Sequence, residues 1–308
     1  MSVAATLINS PVSVTASELI ALNKKVRGLS LRTRIISALQ SGDYQSAFKG
    51  RGMEYDESRL YQPGDDIRNI DWRVTARSGK THTKLFREER EQPVHLWIDL
   101  RSPMFFATRG RFKSVRVAEL ASLLAWIAIN QGDRVGGIIF DDEEHHELKP
   151  QRGKSAVLRM INTITRMPGW QKKSFTPTHA NRLDSLLNLR RLVKPGSLVI
   201  LLSDFRGYDE QSRTHLLGIR RHSEMIMMHL YDLVEEALPP DGIYRLSNGS
   251  DELQLDTGDD EFRQHYEQRF RDRQKRLIML ARRCHFNYIT CRTDEEPEFI
   301  IREGLKQR

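Results

Sequence analysis

Short apolar runs alternate with helix-like stretches along most of the chain after Pro93. The runs "VHLWID", "RVGGIIF", "SLVILLSDF", "MIMMHLYD" and "FNYIT" have the length and composition of buried strands. The stretches between them, such as "KSVRVAELASLLAWIAIN" and "DEFRQHYEQRFRDRQKRLIMLARRC", have the length and spacing of helices. Apolar strands that alternate with helices are typical of a parallel sheet covered on both faces. We therefore predict an α/β domain with a mostly parallel sheet.

Polar residues directly follow two of these predicted strands. Asp99 ends "VHLWID", and Ser203 and Asp204 follow the apolar part of "SLVILLSDF". In open α/β sheets, ligands bind at the carboxyl ends of strands, where the winding of the sheet reverses direction. If these two strands are central neighbours, the three side chains meet in one crevice, which is the first candidate site.

A dense run of charged and aromatic residues lies between Gly50 and Glu91, before the alternating pattern begins. Within it, the segment Gln62-Pro63-Gly64-Asp65 has the residues of a type II turn. Arginine outnumbers lysine in this run, which suits bidentate pairing with carboxylates and stacking on aromatic rings. The candidate residues of this charged signature are Arg59, Tyr61, Pro63, Gly64, Asp65, Asp66, Arg68, Asp71, Trp72, Arg77, Glu88, Glu89 and Arg90.

The charged signature has three interpretations. It could be a lattice of ion pairs that attaches the N-terminal segment to the sheet domain, or a docking surface for a partner. It could also be a carboxylate cluster that binds Mg²⁺, although nearly every acid has an arginine within a few residues, which disfavours metal binding. We predict two parts: residues 1–92, with a loose arm, a short helix starting near Ser17 and the charged signature, and residues 93–308, with the sheet.

Charge and cysteine content limit the class of protein. The net charge is +8, but acidic and basic residues are mixed along the chain, so we expect no specific nucleic-acid binding. Two cysteines without a Cys-x-x-Cys pair fit a reducing compartment. The first residues lack the pattern of a secretory signal, and the apolar stretch "AELASLLAWIAIN" is too short to span a bilayer. We therefore expect a cytoplasmic protein without a membrane span.

Three short motifs have the residue types of phosphate-binding or metal-binding sites. "RSGKT" and "QRGKS" resemble the end of a phosphate-binding loop, but Val74 and Leu148 stand where that loop needs its first glycine. The acidic and histidine-rich "DDEEHHE", from Asp141 to Glu147, lies between two predicted strands and is interpreted as a solvated turn. Neither a metal-binding histidine spacing nor a nucleophile elbow is present. We therefore predict that the chain is not an enzyme.

The sequence resembles a known family. The stretch "GRGMEYDESRLYQPGDDIRNIDWRVTARSGK" followed by "KLFREERE" resembles the signature of the domain of unknown function 58 (DUF58) family. The segments "MFFATRGRFKSV" and "LLAWIAINQGDRVGGIIFDD" extend the likeness, and the second half resembles a von Willebrand factor A domain, with a Rossmann-like sheet. Family members are often encoded beside MoxR-type AAA+ ATPases. The resemblance implies an adaptor or assembly factor for such an ATPase.

The von Willebrand factor A resemblance also implies a metal site, known as MIDAS, where serine, threonine and aspartate oxygens surround Mg²⁺. Carried over, Asp99 and Asp204 match the two aspartates and Thr178 matches the threonine, but Arg101 and Pro103 stand at the serine positions. We interpret the site as degenerate, without tight Mg²⁺ binding or any other cofactor. We further hypothesise that Arg101 replaces the metal's charge by pairing with Asp99, Asp204 or both. The competing interpretation is that Arg101 points to solvent while the aspartates cap helices.

The leading hypothesis is a non-enzymatic interaction module that works with a MoxR-type ATPase in the assembly or maturation of a client protein. Other von Willebrand factor A proteins are further candidate partners. The alternative is a metal-dependent hydrolase or nuclease that acts on nucleic acid, which predicts metal-dependent turnover and salt-sensitive binding.

Overall fold

The computed structural model describes residues 10–31, 53–63, 65–88, 91–171, 180–247 and 252–306. Internal contacts divide the chain into two units, one formed by residues 1–36 and 92–308 and the other by residues 37–91. The predicted division into residues 1–92 and 93–308 stays a prediction.

The strands of the described residues are β1 (Met53–Leu60), β2 (His82–Glu88), β3 (Pro93–Asp99), β4 (Arg134–Phe140), β5 (His145–Gln151), β6 (Ser197–Ser203), β7 (Ser223–Tyr231), β8 (Ile243–Ser247), β9 (Glu252–Asp256) and β10 (Asn287–Arg292). The α-helices are α1 (Ala16–Ala21), α2 (Trp72–Ser78), α3 (Lys113–Asn130), α4 (Lys154–Arg166), α5 (Ala180–Leu192), α6 (Glu210–Arg220), α7 (Leu233–Glu236), α8 (Asp260–Arg283) and α9 (Pro297–Lys306). Short 3₁₀ helices cover Leu22–Lys25, Ile67–Asn69, Ser102–Met104 and Pro168–Gln171.

A six-stranded sheet forms the centre of the larger unit, in the order β10-β7-β6-β3-β4-β5. All neighbours are parallel except β5, which runs antiparallel to β4 at one edge. The prediction of a mixed α/β fold with a mostly parallel sheet is therefore confirmed. The chain builds β3, β4 and β5 in one direction and then returns to place β6 on the other side of β3. The winding of the sheet thus reverses between β3 and β6.

Alternating side chains of the central strands divide the core into two layers. Leu96 and Ile98 of β3 pack in the cluster that also contains α1, α3, α4 and α9, whereas Trp97 packs with α5, α6 and α8. Because successive side chains of a strand point to opposite faces, one apolar strand supplies both layers. In β4, Gly137 allows the close approach of β3, since a Cβ there would lie 1.9 Å from the carbonyl oxygen of Leu96.

The N-terminal helix belongs to the sheet unit. Thr15, rather than Ser17, caps α1, in a capping box that pairs its side chain with the Glu18 backbone N–H and the Glu18 carboxylate with its own N–H. Leu19, Val26 and Leu31 are buried in the same cluster as α3. Helix α1 therefore packs against α3 and α4 within the sheet unit.

The second unit contains an antiparallel pair of strands and a short helix. Strands β1 and β2 pair with a bulge between Tyr55 and Glu57, and α2 precedes β2. The amide of Asp65 donates to the carbonyl of Gln62 at 3.0 Å, the hydrogen bond of a β-turn. Its type depends on Gly64, which lies outside the described residues. In the larger unit, β8 and β9 form the predicted hairpin, whose turn also lies outside them.

Candidate functional site

Two aspartates lie at the carboxyl ends of the adjacent strands β3 and β6. Asp99 is the last residue of β3, and Ser203, the last residue of β6, is followed by Asp204. The Ser203 hydroxyl donates to Asp99 Oδ2 at 2.6 Å. The side chains that the sequence predicts to meet in this crevice therefore do lie together. All three residues are 0% exposed, so the stability of the fold depends on how the charges of the two aspartates are balanced.

Arg101 neutralises Asp99. Its Nε donates to Asp99 Oδ1 at 2.9 Å and its second guanidinium nitrogen donates to Oδ2 at 2.6 Å, a bidentate pair. The Arg101 backbone N–H adds a bond to Oδ1 at 3.0 Å. Burial disfavours the charge of Arg101, but the charge and hydrogen bonds of Asp99 outweigh it and raise the pKa of the guanidinium above its usual value. With the Ser203 bond, the carboxylate accepts four hydrogen bonds, which is its full capacity.

A buried lysine neutralises Asp204. Lys113 Nζ lies 3.1 Å from Asp204 Oδ2 and 3.0 Å from Glu235 Oε1, and its side chain is 0% exposed. Arg206, which is 42% exposed, closes the group by pairing with both carboxylates. Burial raises the pKa of Asp204, but the charges of Lys113 and Arg206 outweigh this effect and hold it below the usual value. We call Asp99, Arg101, Lys113, Ser203, Asp204, Arg206 and Glu235 the ionic cluster.

The ionic cluster also fixes the loop that follows β6. The Ser203 hydroxyl accepts the Phe205 N–H at 2.9 Å, and Asp204 Oδ1 accepts the Arg206 N–H at 3.0 Å. Phe205 has a φ of 51°, in the left-handed region that is unfavourable for an aromatic residue. The side chains of the ionic cluster therefore hold a strained backbone conformation at the start of this loop.

The residues at the predicted metal-site positions do not fit Mg²⁺. Mg²⁺ requires oxygen ligands in near-octahedral geometry, but a guanidinium and an ammonium group already neutralise Asp99 and Asp204. Pro103 lies in a short 3₁₀ helix and has no side-chain oxygen, while Ser102 donates its hydroxyl to Asp142. Thr178 lies outside the described residues. Arg101 therefore pairs with Asp99, whereas the buried cation beside Asp204 is Lys113, which was not identified from the sequence.

Three members of the ionic cluster, Lys113, Arg206 and Glu235, were not identified from the sequence. Lys113 opens α3 and Glu235 lies in α7, and no spacing links either residue to Asp204. One local signal was available for Glu235, since Asp232 and Glu235 form a capping box at the start of α7. The spacing Asp-x-x-Glu therefore predicts a helix start directly after "MIMMHLY". It does not reveal that the Glu235 carboxylate also meets Lys113.

Ion pairing is sparse among the described residues of the charged signature. Arg59 pairs with Asp65 at 2.6 Å, with side chains 36% and 19% exposed. Asp66 caps the 3₁₀ helix that follows it by accepting the Arg68 N–H. Trp72 begins α2 with 69% of its surface exposed, which favours neither stacking nor burial. Glu89 and Arg90 lie outside the described residues, as does Gly64.

Asp71 is the most constrained acid of the charged signature. It caps α2 by accepting the Arg73 and Val74 backbone N–H groups at 3.2 and 3.1 Å, and its other oxygen accepts the Ser58 hydroxyl at 2.8 Å. The Ser58 hydrogen bond and the Val74 N–H hold the pKa of Asp71 below its usual value. Its role within this unit is therefore to start α2 and to connect that helix to β1.

The remaining motifs have structural roles. Asp141 accepts the Glu143 and Glu144 N–H groups at 2.8 and 2.9 Å, which forms the predicted turn between β4 and β5. "QRGKS" does open a helix, since Gly153 caps α4, but it follows the exposed edge strand β5 rather than a buried parallel strand. Among the described residues, no three His, Cys, Asp or Glu side chains group in a way that could hold a metal ion. Within the same residues, no helix is both long and apolar enough to cross a membrane.

Comparison with known proteins identifies the family. Residues 57–276 match the family described as "Protein of unknown function DUF58", and the chain belongs to it. It is 28% identical, over 65% of its own length, to the uncharacterized proteins Mb1516 of Mycobacterium bovis and Rv1480 of Mycobacterium tuberculosis. The match spans 62% of the length of each of these relatives.

Solved structures resemble the chain more distantly. One is a conserved hypothetical protein BatB from Bacteroides thetaiotaomicron, with a TM-score of 0.43 and 11% identity over 70% of this chain and 98% of that one. Another is an aerotolerance-related membrane protein from Bacteroides fragilis carrying multiple mutations to serine, with a TM-score of 0.44 and 12% identity over 70% of this chain and 100% of that one.

Proposed function

We propose that this chain is a non-enzymatic interaction module with a von Willebrand factor A-like sheet unit. It serves a MoxR-type AAA+ ATPase as an adaptor in the assembly or maturation of a client protein. The observation that carries the proposal is the closure of the strand-end crevice by two buried cations, Arg101 and Lys113, each paired with an aspartate. The likeness of the charged signature to DUF58 proteins supports the choice of partner.

The chemistry of the crevice favours a scaffold over a catalyst. A metal-dependent hydrolase needs a cation with an open coordination position and carboxylates free to hold it. Asp99 instead accepts hydrogen bonds at its full capacity from Arg101 and Ser203. The ionic cluster therefore serves to fix the loops at this end of the sheet, which suits a surface that presents a constant shape to a partner.

A cytoplasmic location is part of the proposal. Cys284 and Cys291 are both buried free thiols, which suits a reducing compartment. A cytoplasmic adaptor would also meet an AAA+ ATPase directly.

Affinity purification from the native cell tests this function. The tagged chain should retain an AAA+ ATPase through washes at physiological salt, whereas an unrelated tagged protein of similar net charge should not. The purified ATPase should then change its ATP turnover when the purified chain is added, and the chain alone should hydrolyse no ATP. Absence of the ATPase from the purified material would contradict the proposal.

The alternative of a metal-dependent nuclease or hydrolase is tested in parallel. The purified chain is incubated with labelled single-stranded and duplex nucleic acid in Mg²⁺ or Mn²⁺. We expect no cleavage. Turnover that requires the metal and disappears in Asp204→Asn would favour the enzyme and would overturn the interaction module.

A further inference from the structure

A groove of about 680 Å³ lies between α6 and α8, next to the loop that follows β6. Its floor is apolar, with Leu217 of α6 facing Leu277 and Leu280 of α8, and Met279, which is 49% exposed, lies at its edge. The groove has the volume of a typical ligand site.

Arginines dominate the polar lining of the groove. The lining cations are Arg213, Arg273, Arg276 and Arg283, and the lining acids are Asp209 and Glu210. Both acids are already engaged, because Asp209 caps α6 and Glu210 pairs with Arg213 at 2.8 Å. Among the described residues, the three α8 arginines that line the groove, Arg273, Arg276 and Arg283, form no ion pair with any carboxylate, unlike Arg263 and Arg271 of the same helix. The groove therefore carries an excess of positive charge above an apolar floor.

Two buried polar atoms belong to residues that line the groove. The Tyr208 hydroxyl and Arg273 Nε are both buried without a hydrogen-bond partner among the described residues. Arg273 is held in place because its guanidinium lies over the Phe270 ring at 5.5 Å. Unpartnered buried donors are costly, and a ligand that accepts hydrogen bonds from them would remove that cost.

The ionic cluster determines the shape of one wall. Phe205, Gly207 and Tyr208 line the groove, and they belong to the loop whose first amides are held by Ser203 and Asp204. The ionic cluster thus fixes one wall of the groove.

We propose that the groove between α6 and α8 binds an acidic amphipathic helix of a partner protein. The apolar face of that helix packs on Leu217, Leu277 and Leu280, and its carboxylates pair with Arg273, Arg276 and Arg283. Helices bind grooves of this kind through apolar residues spaced at i, i+3, i+4 and i+7. This inference rests on the proposed function, and it names the surface through which the interaction module holds its partner.

The charge and the apolar floor of the groove favour an acidic helix over a second copy of the chain or a nucleic acid. A second copy of the chain carries the same net charge of +8, which opposes self-association through a basic groove. Nucleic acid would match the arginines with its phosphates but would leave the leucine floor without an apolar partner. Arginine, with its planar set of donors, suits bidentate pairing with glutamate and aspartate.

Fluorescence anisotropy with defined probes tests the inference. The first probe is a synthetic helical peptide with leucine at i, i+3, i+4 and i+7 and glutamate on both flanks of that face. The second has the same composition in an order that destroys the face, and the third is single-stranded oligo-dT of equal charge. The groove variant is Arg276→Glu/Arg283→Glu. The matched control is Arg269→Glu/Arg282→Glu, which changes the charge of α8 equally at exposed residues outside the groove.

The first peptide should bind, and the groove variant should weaken its binding by about tenfold or more, equivalent to about 1.4 kcal/mol. The control variant should change the affinity by less than about twofold, since long-range charge alone is screened at physiological salt. Melting temperatures of both variants should match the wild type. Equal binding of the two peptides, equal weakening in both variants or tighter binding of oligo-dT would each overturn the inference.

Affinity purification separates this inference from the proposed function. Loss of the ATPase from the groove variant but not from the control supports both. An ATPase retained equally by the groove variant and the wild type would overturn the groove as the interface and leave the adaptor role intact. Groove-dependent peptide binding without any ATPase in the purified material would support the groove and overturn the choice of partner.

Discussion

The ionic cluster and the charged signature contain the same kinds of side chain in opposite surroundings. In the ionic cluster, the paired groups Asp99, Arg101 and Lys113 are at most 1% exposed. In the charged signature, Arg59 and Asp65 pair at a similar distance but are 36% and 19% exposed. A buried pair leaves a desolvated charge when one partner is removed, whereas water replaces the lost partner of an exposed pair. The density of charge along the sequence therefore does not show where charge matters for stability.

The largest effect is expected from Arg101→Met. This change leaves the Asp99 carboxylate buried with only the Ser203 hydroxyl and one backbone amide, and it should lower the free energy of unfolding by roughly 3–5 kcal/mol. Urea denaturation measures the loss. The double variant Asp99→Asn/Arg101→Met should recover part of it, because no unpaired charge remains. A loss below about 1 kcal/mol, the range of exposed pairs, would contradict the burial of this pair.

The second prediction concerns Lys113→Met and its dependence on pH. In the wild type, Asp204 has a lowered pKa despite its burial, so it stabilises the fold above the pKa of the unfolded chain, and this contribution is lost as the pH falls below about 4. Without Lys113, burial dominates and the pKa of Asp204 should rise. The folded variant then binds a proton as the pH falls. Its free energy of unfolding, which should be roughly 3–5 kcal/mol below that of the wild type at neutral pH, should therefore approach the wild-type value.

Urea denaturation of both proteins at a series of pH values between neutral and mildly acid measures this deficit. Lys113→Met/Asp204→Asn serves as the control, since it removes the carboxylate that titrates and should show a smaller change with pH. If the difference in free energy of unfolding between Lys113→Met and the wild type stayed constant over this range, lost packing rather than the unpaired carboxylate would cause the destabilisation.

The sequence predicted the sheet more completely than the ionic cluster. The predicted strand "RVGGIIF" and helix "KSVRVAELASLLAWIAIN" have the bounds of β4 and α3, because local periodicity determines such elements. Asp99 and Asp204 could be placed because strand ends and winding order bring them together. Lys113 could not, since it is 91 residues from Asp204 and 122 from Glu235 in sequence. Only packing of α3 and α7 at the end of the sheet brings these groups together.

In the charged signature, acids lie near arginines in sequence, which suggested ion pairs. Arg59 and Asp65 do form one, whereas Asp66 and Asp71 accept backbone N–H groups at helix starts. An aspartate directly before a helix is a common N-cap, and this signal was present in "DDIRNIDWRV". Whether the signature attaches one unit to the other or docks a partner stays a prediction.

The third prediction concerns the buried histidine His95 of β3. Burial lowers the pKa of His95 to about 4, and neither of its ring nitrogens has a hydrogen-bond partner among the described residues. Between pH 6.5 and 4 the unfolded chain binds a proton that the folded chain does not, so the free energy of unfolding falls with falling pH by up to about 1.4 kcal/mol per pH unit. His95→Leu should remove this contribution.

Urea denaturation at several pH values compares His95→Leu with His222→Leu, which changes an exposed histidine. The exposed variant should keep the pH dependence of the wild type. The same slope in all three proteins would show that His95 binds a proton in the folded state and would contradict its lowered pKa.

The smallest effect is expected from Arg59→Ala, the exposed counterpart of Arg101→Met. The Asp65 carboxylate keeps the Gln62 amide at 2.9 Å after the arginine is removed, and water can solvate the remaining oxygen. The Gln62 amide is also the first cause of the lowered pKa of Asp65, ahead of Arg59. The midpoint of urea denaturation should therefore stay within the scatter of replicate measurements.

Asp71→Ala is the reference variant within the same unit. It removes two hydrogen bonds that cap α2 and the Ser58 contact, and it should lower the midpoint clearly. If Arg59→Ala lowered the midpoint as much as Arg101→Met, the exposed pair would be behaving as a desolvated one, and the charged signature would stabilise the protein by the same mechanism as the ionic cluster.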